Sequence, residues 1–509
     1  MKHYKFSFII IVGIALVIQM SSCKKQLEEV QPQDAISKSQ ILTDPNAALT
    51  LYTGMYGLFR NYNATFFQLG EMRSDIWVDG VFTESVDATS QNLYRHNISA
   101  LNVPFTSWAN FYNMIYNVNN VITLFPQTGL SQSDKDRMMG EAYGIRAYIY
   151  YTMLKTWGAV PLTTAPVQTI NNAAETYKAR TPADSIMIQI KADIEKSLQL
   201  LTSNVITAGK RVYWNRIATL TLKGDVYLWS GTLMGGGNTD FIAAKAALQE
   251  VENLQGPSLN LNSNYADIFD PAKKSNNPEI IFAINYEAGQ ATQGTFASFQ
   301  VNGISATSLS LAQAPTPLVS AVYPYVNGAN RVGMGQPMIT RLTNGPADQR
   351  ISNTFKVMYS NTTPFGLKGI LLTKWFGQTS GTSQVYNNDY PIYRYAEVLL
   401  LMAEAKAKLG QDPSAEINAI RIRAYGAANA VPFVSGSVDN NINAVLEETL
   451  REFIGEGKRW WALRRAGDNY VYANINPTYL SASTTAKLLL PISTAMINND
   501  PLLMQTSGY

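Results

Sequence analysis

The run Gly70-Glu71-Met72-Arg73-Ser74-Asp75-Ile76-Trp77-Val78-Asp79-Gly80 sets one indole among charged side chains and ends on an Asp-Gly turn signal. That mixture suits recognition. The flat face of Trp77 can lie against the axial C–H groups of a sugar or against a peptide side chain. Arg73 can donate to nearby hydroxyls and amides, and Asp79 can accept from them. Asn61-Tyr62-Asn63 and Tyr94-Arg95 offer groups of the same kind. Farther along, Tyr323-Pro324-Tyr325 with Arg331, and Lys374-Trp375-Phe376-Gly377, again place rings beside proline or glycine, where side chains often turn outward. The candidate ligand contacts are Trp77, Arg73, Asp79, Tyr62, Tyr94, Tyr323, Tyr325 and Trp375. If Trp77 and Trp375 face solvent, replacing either by Ala removes binding at little cost in stability. If they plug the space between loops, the balance is reversed.

Most other chemistry lacks its parts. The 509 residues contain two histidines and one cysteine. His3 lies in the apolar leader, which leaves His96 in Tyr94-Arg95-His96-Asn97, read as a hydrogen-bonding surface residue. Common zinc sites and the Ser-His-Asp and Cys-His constellations are short of members. There is no Asp-x-Asp-x-Asp-Gly loop for calcium, so no metal and no cofactor is expected. A glycoside hydrolase needs two carboxylates roughly 5–10 Å apart, one with a raised pKa, and no segment presents a recognisable pair. Beyond residue 22, 38 basic residues face 37 acidic ones. That balance argues against nucleic acid, whose phosphates demand a basic surface. The 28 Tyr, 19 Phe and 8 Trp serve sugar platforms and ordinary cores equally, so position has to decide between them.

Cys23 is the one thiol, and it stands where an apolar segment ends. Lys2 and Lys5 precede an almost wholly apolar run from Phe6 to Met20, followed by Ser21-Ser22-Cys23. These are the parts of a secretory signal, in a run shorter than the roughly 20 residues a spanning helix needs. Met20-Ser21-Ser22-Cys23 resembles a bacterial lipobox, with Met20 where Leu is usual. The expectation is a signal peptide at 1–22, lipid on Cys23, a tether at 23–35 and one domain at 36–509. With no second cysteine, that domain rests on its core alone.

Helices are expected at both ends of the domain. Thr43-Asp44-Pro45 starts one that runs to about Arg60. Residues 61–104 lose helical period. Phe105–Phe125 regains it through Trp108, Tyr112, Ile115, Val118 and Ile122. Ser131–Trp157 opens on a capping sequence and stops at Gly158 and Pro161. Further helices are expected over Pro182–Leu201, Trp214–Leu233, Thr239–Leu254, Pro391–Leu409, Pro413–Ala424 and Ile442–Arg465. The domain thus divides into a helical part at 36–256, an irregular part at 257–388 with short strand-like runs such as Glu279–Ile284, and a helical part at 389–509. The fold class is mainly α, a scaffold of tetratricopeptide-like helix pairs with a large loop-rich insertion.

Four segments carry a family resemblance. They are Glu141–Tyr148 with Trp157–Leu162 beyond it; Tyr393-Arg394-Tyr395-Ala396-Glu397-Val398-Leu399-Leu400 running to Ala405; Glu452–Arg465; and the end from Pro491 through Asn499-Asp500-Pro501 to Gly508-Tyr509. In this order, behind a lipobox, they resemble the SusD/RagB family of outer-membrane nutrient-binding lipoproteins. Gly455, Lys458 and Thr506-Ser507 depart from its usual pattern. The signatures themselves read as scaffold. Leu446, Leu450, Phe453, Ile454, Trp460 and Trp461 fall on one helical stripe with Gly457, which lets a neighbouring backbone approach. Glu452 and Glu456 are expected to pair with Arg459 or other basic residues a turn away. Glu141, Arg146, Arg394 and Glu397 are expected in inter-helix ion pairs.

The resemblance implies a surface-exposed lipoprotein that captures oligosaccharides, or peptides as RagB-type members do, and passes them to a SusC-like TonB-dependent transporter. It also favours Trp77, because the segment after the first helix contributes to the family's ligand site. Two readings from other classes compete: a surface glycoside hydrolase, and a subunit that merely closes a transporter and binds no nutrient.

Overall fold

A computed structural model describes residues 36–80, 87–167, 176–203 and 211–509. Cys23 and the tether lie outside the described residues. The Asp44 side chain accepts the amide of Asn46 and Pro45 opens the turn, so helix α1 spans Pro45–Phe59. Helices α2 (Asn63–Glu71), α3 (Ala88–Tyr94) and α4 (Ala109–Leu124) follow. Ser131 caps the long α5 (Gln132–Trp157), and α6 (Ala183–Leu200) packs along it. The hairpin of α7 (Arg216–Leu233) and α8 (Gly237–Glu252) comes next. After the irregular insertion, α9 (Tyr395–Lys408) packs on α8 and α11, joined by α10 (Ser414–Tyr425), α11 (Val438–Phe453) and α12 (Arg459–Ala466). The scaffold is mainly α-helical and built from successive helix pairs.

The strands are short. β1 (Trp77–Asp79) pairs antiparallel with β4 (Val332–Met334), Asp79 opposite Val332. β2 (Ile280–Ile284) pairs with β9 (Tyr390–Arg394), and both are buried along their whole length. β3 (Leu309–Ser310), β5 (Phe355–Ser360) and β6 (Leu367–Leu372) form a three-stranded sheet, and β7 (Gln378–Ser380) with β8 (Ser383–Val385) a hairpin. Beneath the insertion, Val301, Ala306, Leu309, Val319, Val326, Met358 and Leu371 form a small core of their own, with Tyr323 and Phe376 packed against it.

Three sequence expectations change. Residues 61–104 contain α2 and α3, whose amides and aromatics hid the helical period. The segment from Pro391 begins as strand β9, because a short, wholly buried apolar run reads alike as strand or helix. The single helix expected from Ile442 to Arg465 is broken between α11 and α12. Gly455 and Gly457 sit at φ +83° and +73°, a left-handed backbone that other residues avoid. Their amides donate to Glu71 Oε1 and Oε2 at 2.7 and 2.8 Å, so a carboxylate from α2 takes the donors a helix would have used. A Cβ on Gly70 would lie 1.8 Å from the Gly457 carbonyl oxygen, which is why two glycines face each other where α2 crosses this turn.

Charge is buried at the seam between the insertion and the C-terminal helices. Arg394, 1% exposed, donates to Glu456 Oε2 (2.8 Å), Glu452 Oε1 (2.6 Å) and Glu279 Oε1 (2.5 Å). Arg423 also bonds Glu452, and Lys374 Nζ reaches Glu456 Oε1 at 2.8 Å. Glu452 and Glu456 therefore pair with Arg394, Arg423 and Lys374, while Arg459 pairs instead with Asp75 at 2.9 Å. Arg146 makes the expected inter-helix pair, with Asp193 of α6 at 2.7 Å, and Glu397 pairs with Lys458 at 2.8 Å. Glu141 does not: its cation is Arg137, one turn back on α5, and its helix-crossing bonds come from the phenols of Tyr52 and Tyr56 on α1, both at 2.5 Å. Trp460 and Trp461 lie in the core, 0% and 7% exposed.

Candidate ligand-binding site

Four of the eight candidate contacts are enclosed by the scaffold. Trp77 is 2% exposed, edge-on to Phe299 with centroids 4.8 Å apart, and its Nε1 donates to Glu71 Oε1 at 3.2 Å. Burial raises the Glu71 pKa to about 7 against the opposing pull of the two glycine amides and Lys374. Trp375 is fully buried, stacked on Phe296 at 4.9 Å, and donates to the Gly455 carbonyl at 3.1 Å. Arg73 lies over the Trp460 ring at 4.3 Å and donates to the main-chain carbonyls of Lys487 and Leu488. Tyr62 is buried with its phenol on the Asn110 carbonyl. None of these offers a free face. His96, expected at the surface, is also buried. Its Nε2 donates to the Arg73 carbonyl at 3.0 Å, and burial together with the Arg73 charge holds its pKa well below the ordinary imidazole value.

Of the other four, Asp79 and Tyr94 meet at the rim where β1 pairs with β4, while Tyr323 and Tyr325 lie on the chain that leads into β4. The Asp79 carboxylate sits at the end of β1, and Oδ1 accepts from Gln91 Nε2 (2.9 Å) and from the Tyr94 phenol, while Oδ2 accepts from Arg95. Burial works to raise its pKa, but the bonds from Tyr94 and Gln91 and the Arg95 cation prevail and hold it below the usual carboxylate range. Tyr94 is 5% exposed and acts as a prop for Asp79. Next to Asp79, the Gly80 amide donates to the Arg331 carbonyl at 3.3 Å, and the Arg331 amide donates to Ser298 at 2.7 Å. A Cβ on Gly80 would fall 1.7 Å from the Asn330 carbonyl oxygen, so only glycine lets the two backbones come this close. The Arg331 side chain is exposed, and its guanidinium has no partner among the described residues.

From Arg331 the chain leads back six residues to Tyr325, half-buried, whose phenol likewise has no partner among the described residues. Tyr323, also half-buried, is braced edge-on by Phe376 at 5.1 Å. Val78, 40% exposed, adds an apolar contact beside Asp79. The rim thus holds a fixed carboxylate, an amide and a cation with no partner among the described residues, with two tyrosine rings six and eight residues before that cation in the chain. It can stack, donate and accept. Gln91 was not among the sequence candidates, and Arg95 was named there only as the neighbour of Tyr94. Asp87, which caps α3 through the amides of Thr89 and Ser90, is the signal that places them, because a helix starting there brings Gln91, Tyr94 and Arg95 to one end.

Two family models match the chain: SusD family over residues 361–509, and starch-binding associating with outer membrane over residues 26–228. The solved structure of B. fragilis NanU superposes with a TM-score of 0.84 at 31% identity, covering 94% of this chain and 100% of that one. The chain belongs to the SusD/RagB family. A SusD-like protein, P38 of Formosa agariphila, is 24% identical over 533 residues, spanning 100% of this chain and 99% of its own. A laminarin binding SusD-like protein shares the fold at a TM-score of 0.71 and 21% identity, covering 92% of this chain and 100% of that one. In this SusD/RagB chain, Arg394, Glu452 and Glu456 from two of the signature segments meet in the buried seam, while the rim lies outside every signature.

Proposed function

We propose that this chain is a lipid-anchored outer-membrane protein that binds nutrient oligomers, glycans above all, and delivers them uncleaved to a SusC-like TonB-dependent transporter. The observation that carries the reading is the rim: the Arg331 guanidinium and the Tyr325 phenol have no partner among the described residues, and a fixed carboxylate stands at the end of β1, on backbone held by β1–β4 pairing and by a close Gly80–Asn330 contact. A sugar ring stacks its C–H face on Tyr325 or Tyr323 and bonds its hydroxyls to Arg331, Gln91 and Asp79. The family description of starch binding at the outer membrane supports a carbohydrate, and the laminarin-binding relative is in keeping with one.

The rim does not suit hydrolysis. Glycoside cleavage needs a carboxyl that still holds its proton near neutral pH, and Asp79 is held in the opposite direction by three donors. Lipid on Cys23 supplies the membrane attachment; no helix of the described residues is long and apolar enough to cross a bilayer.

Titrating the mature chain with starch and laminarin oligosaccharides tests the reading. Saturable binding with every oligosaccharide recovered intact is expected, together with co-purification of a β-barrel transporter from detergent-solubilised membranes. Shortened products, or binding of peptides with no glycan bound, would overturn it.

A further inference from the structure

We propose a second sugar site, built on α4 rather than on the rim. Trp108, Tyr112 and Tyr116 face the extended segment that follows α5 and the C-terminal turn at Asp500, and the space between is a pocket of about 270 Å³. One wall is aromatic. Trp108 is 4% exposed and packs edge-on against Trp157 at 5.7 Å, Tyr112 is anchored through its phenol to the Pro161 carbonyl at 2.6 Å, and Tyr116 stands 45% exposed. The other wall carries Lys178 and Asp500. Asp500 is fixed by the amides of Lys178 (3.2 Å) and Leu502 (2.9 Å) and keeps lone pairs to spare. The Lys178 ammonium has no partner among the described residues.

A fixed acceptor and a free donor of opposite charge face a wall of tyrosine. That is the complement of a neutral pyranose. Its C–H face lies on the rings, one hydroxyl accepts from Lys178, and another donates to Asp500. An apolar guest would leave both charges unsatisfied, an anion would meet Asp500, and a cation would meet Lys178. Tyr116 and Val167 also line a groove of about 680 Å³ between α1 and α4, within the roughly 300–1,000 Å³ usual for small-molecule sites. Along it, the amide nitrogens of Asn117 and Asn120 are spent on main-chain carbonyls one turn back, at 2.8 and 3.0 Å. Both residues line the groove and keep side-chain oxygens able to accept from the next units of a chain whose terminal sugar sits in the pocket.

This inference rests on the glycan reading above but on different residues, so the two fail separately. Saturation-transfer NMR on the mature chain with glucose, galactose, mannose and xylose reads it directly. At least one sugar should receive saturation through its C–H face. Its apparent affinity should fall about tenfold, the effect of losing one good contact, in Tyr116→Ala and in Lys178→Ala, with melting temperatures unchanged. Repeated in a Tyr325→Ala/Arg331→Ala background, which removes the rim's own share of the transfer, the remaining signal should show the same losses in the two pocket variants. No transfer to any sugar, or transfer unchanged in both pocket variants, overturns the second site. Loss confined to the rim background also overturns it while sparing the rim.

Discussion

The buried seam and the exposed rim use the same residue types to opposite ends. At the seam, Arg394 lies among Glu279, Glu452 and Glu456, and each of these carboxylates bonds at least one buried cation. Burial alone would lower the Arg394 pKa, yet the charges of Glu456, Glu452 and Glu279 push it well above the ordinary guanidinium value. At the rim, Arg331 has no carboxylate at all and Tyr325 no acceptor among the described residues. A charge that is both buried and paired on every side holds the fold and has nothing left to offer a ligand. A charge left unsatisfied contributes little to the fold and is free to bind. Charge pairing, more than burial alone, therefore separates scaffold from site.

Breaking the seam should have the largest effect. Arg394→Met takes the shared cation from three buried carboxylates and leaves Arg423 to serve both Glu279 and Glu452 and Lys374 to serve Glu456; removing one partner of a buried pair costs about 3–5 kcal/mol, and denaturant unfolding should show a loss of that size. Next is Trp375→Ala, which empties a space filled by stacking on Phe296 and should cost about 3–5 kcal/mol, readable as a drop in melting temperature. The variant that sequence alone offered as a binding test is thus a stability test.

A smaller, pH-dependent effect sharpens the contrast. The Lys155 ammonium lies 4.0 Å from the Tyr151 ring centroid and 4.7 Å from that of Trp461, and burial lowers its pKa from 10.5 to about 7. Between those two values the folded chain binds fewer protons than the unfolded chain. The Lys155 contribution to stability therefore rises with pH across the window and is lost as pH falls through it. Subtracting the unfolding free energies of Lys155→Met from those of the wild type, pH by pH, should isolate that slope. A flat difference would contradict the assigned burial.

Much of this architecture is legible in local sequence. Asp44 and Ser131 mark their helices by capping chemistry, and Leu450, Phe453, Trp460 and Trp461 are buried as expected, though on two helices rather than on the one stripe their spacing suggests. What local sequence could not show is which rings turn inward. Trp77 is fixed by Glu71, and Glu71 is held in turn by glycines 384 residues away in the chain, a partnership no window of neighbours reveals. The same long-range contact breaks the helix that periodicity extended to Arg465. Among the residues proposed for the ligand, Asp79, Tyr323 and Tyr325 are flagged in the sequence by their turn residues. Arg95 and Gln91 depend on a short helix whose apolar positions are too few to show a period.

The most direct test of the central claim is a glycan titration of Tyr325→Ala/Arg331→Ala beside the wild type, with unfolding measured on both. The account predicts affinity lower by about tenfold or more and stability within about 0.5 kcal/mol of wild type. Unchanged affinity in a fully folded double variant would contradict it.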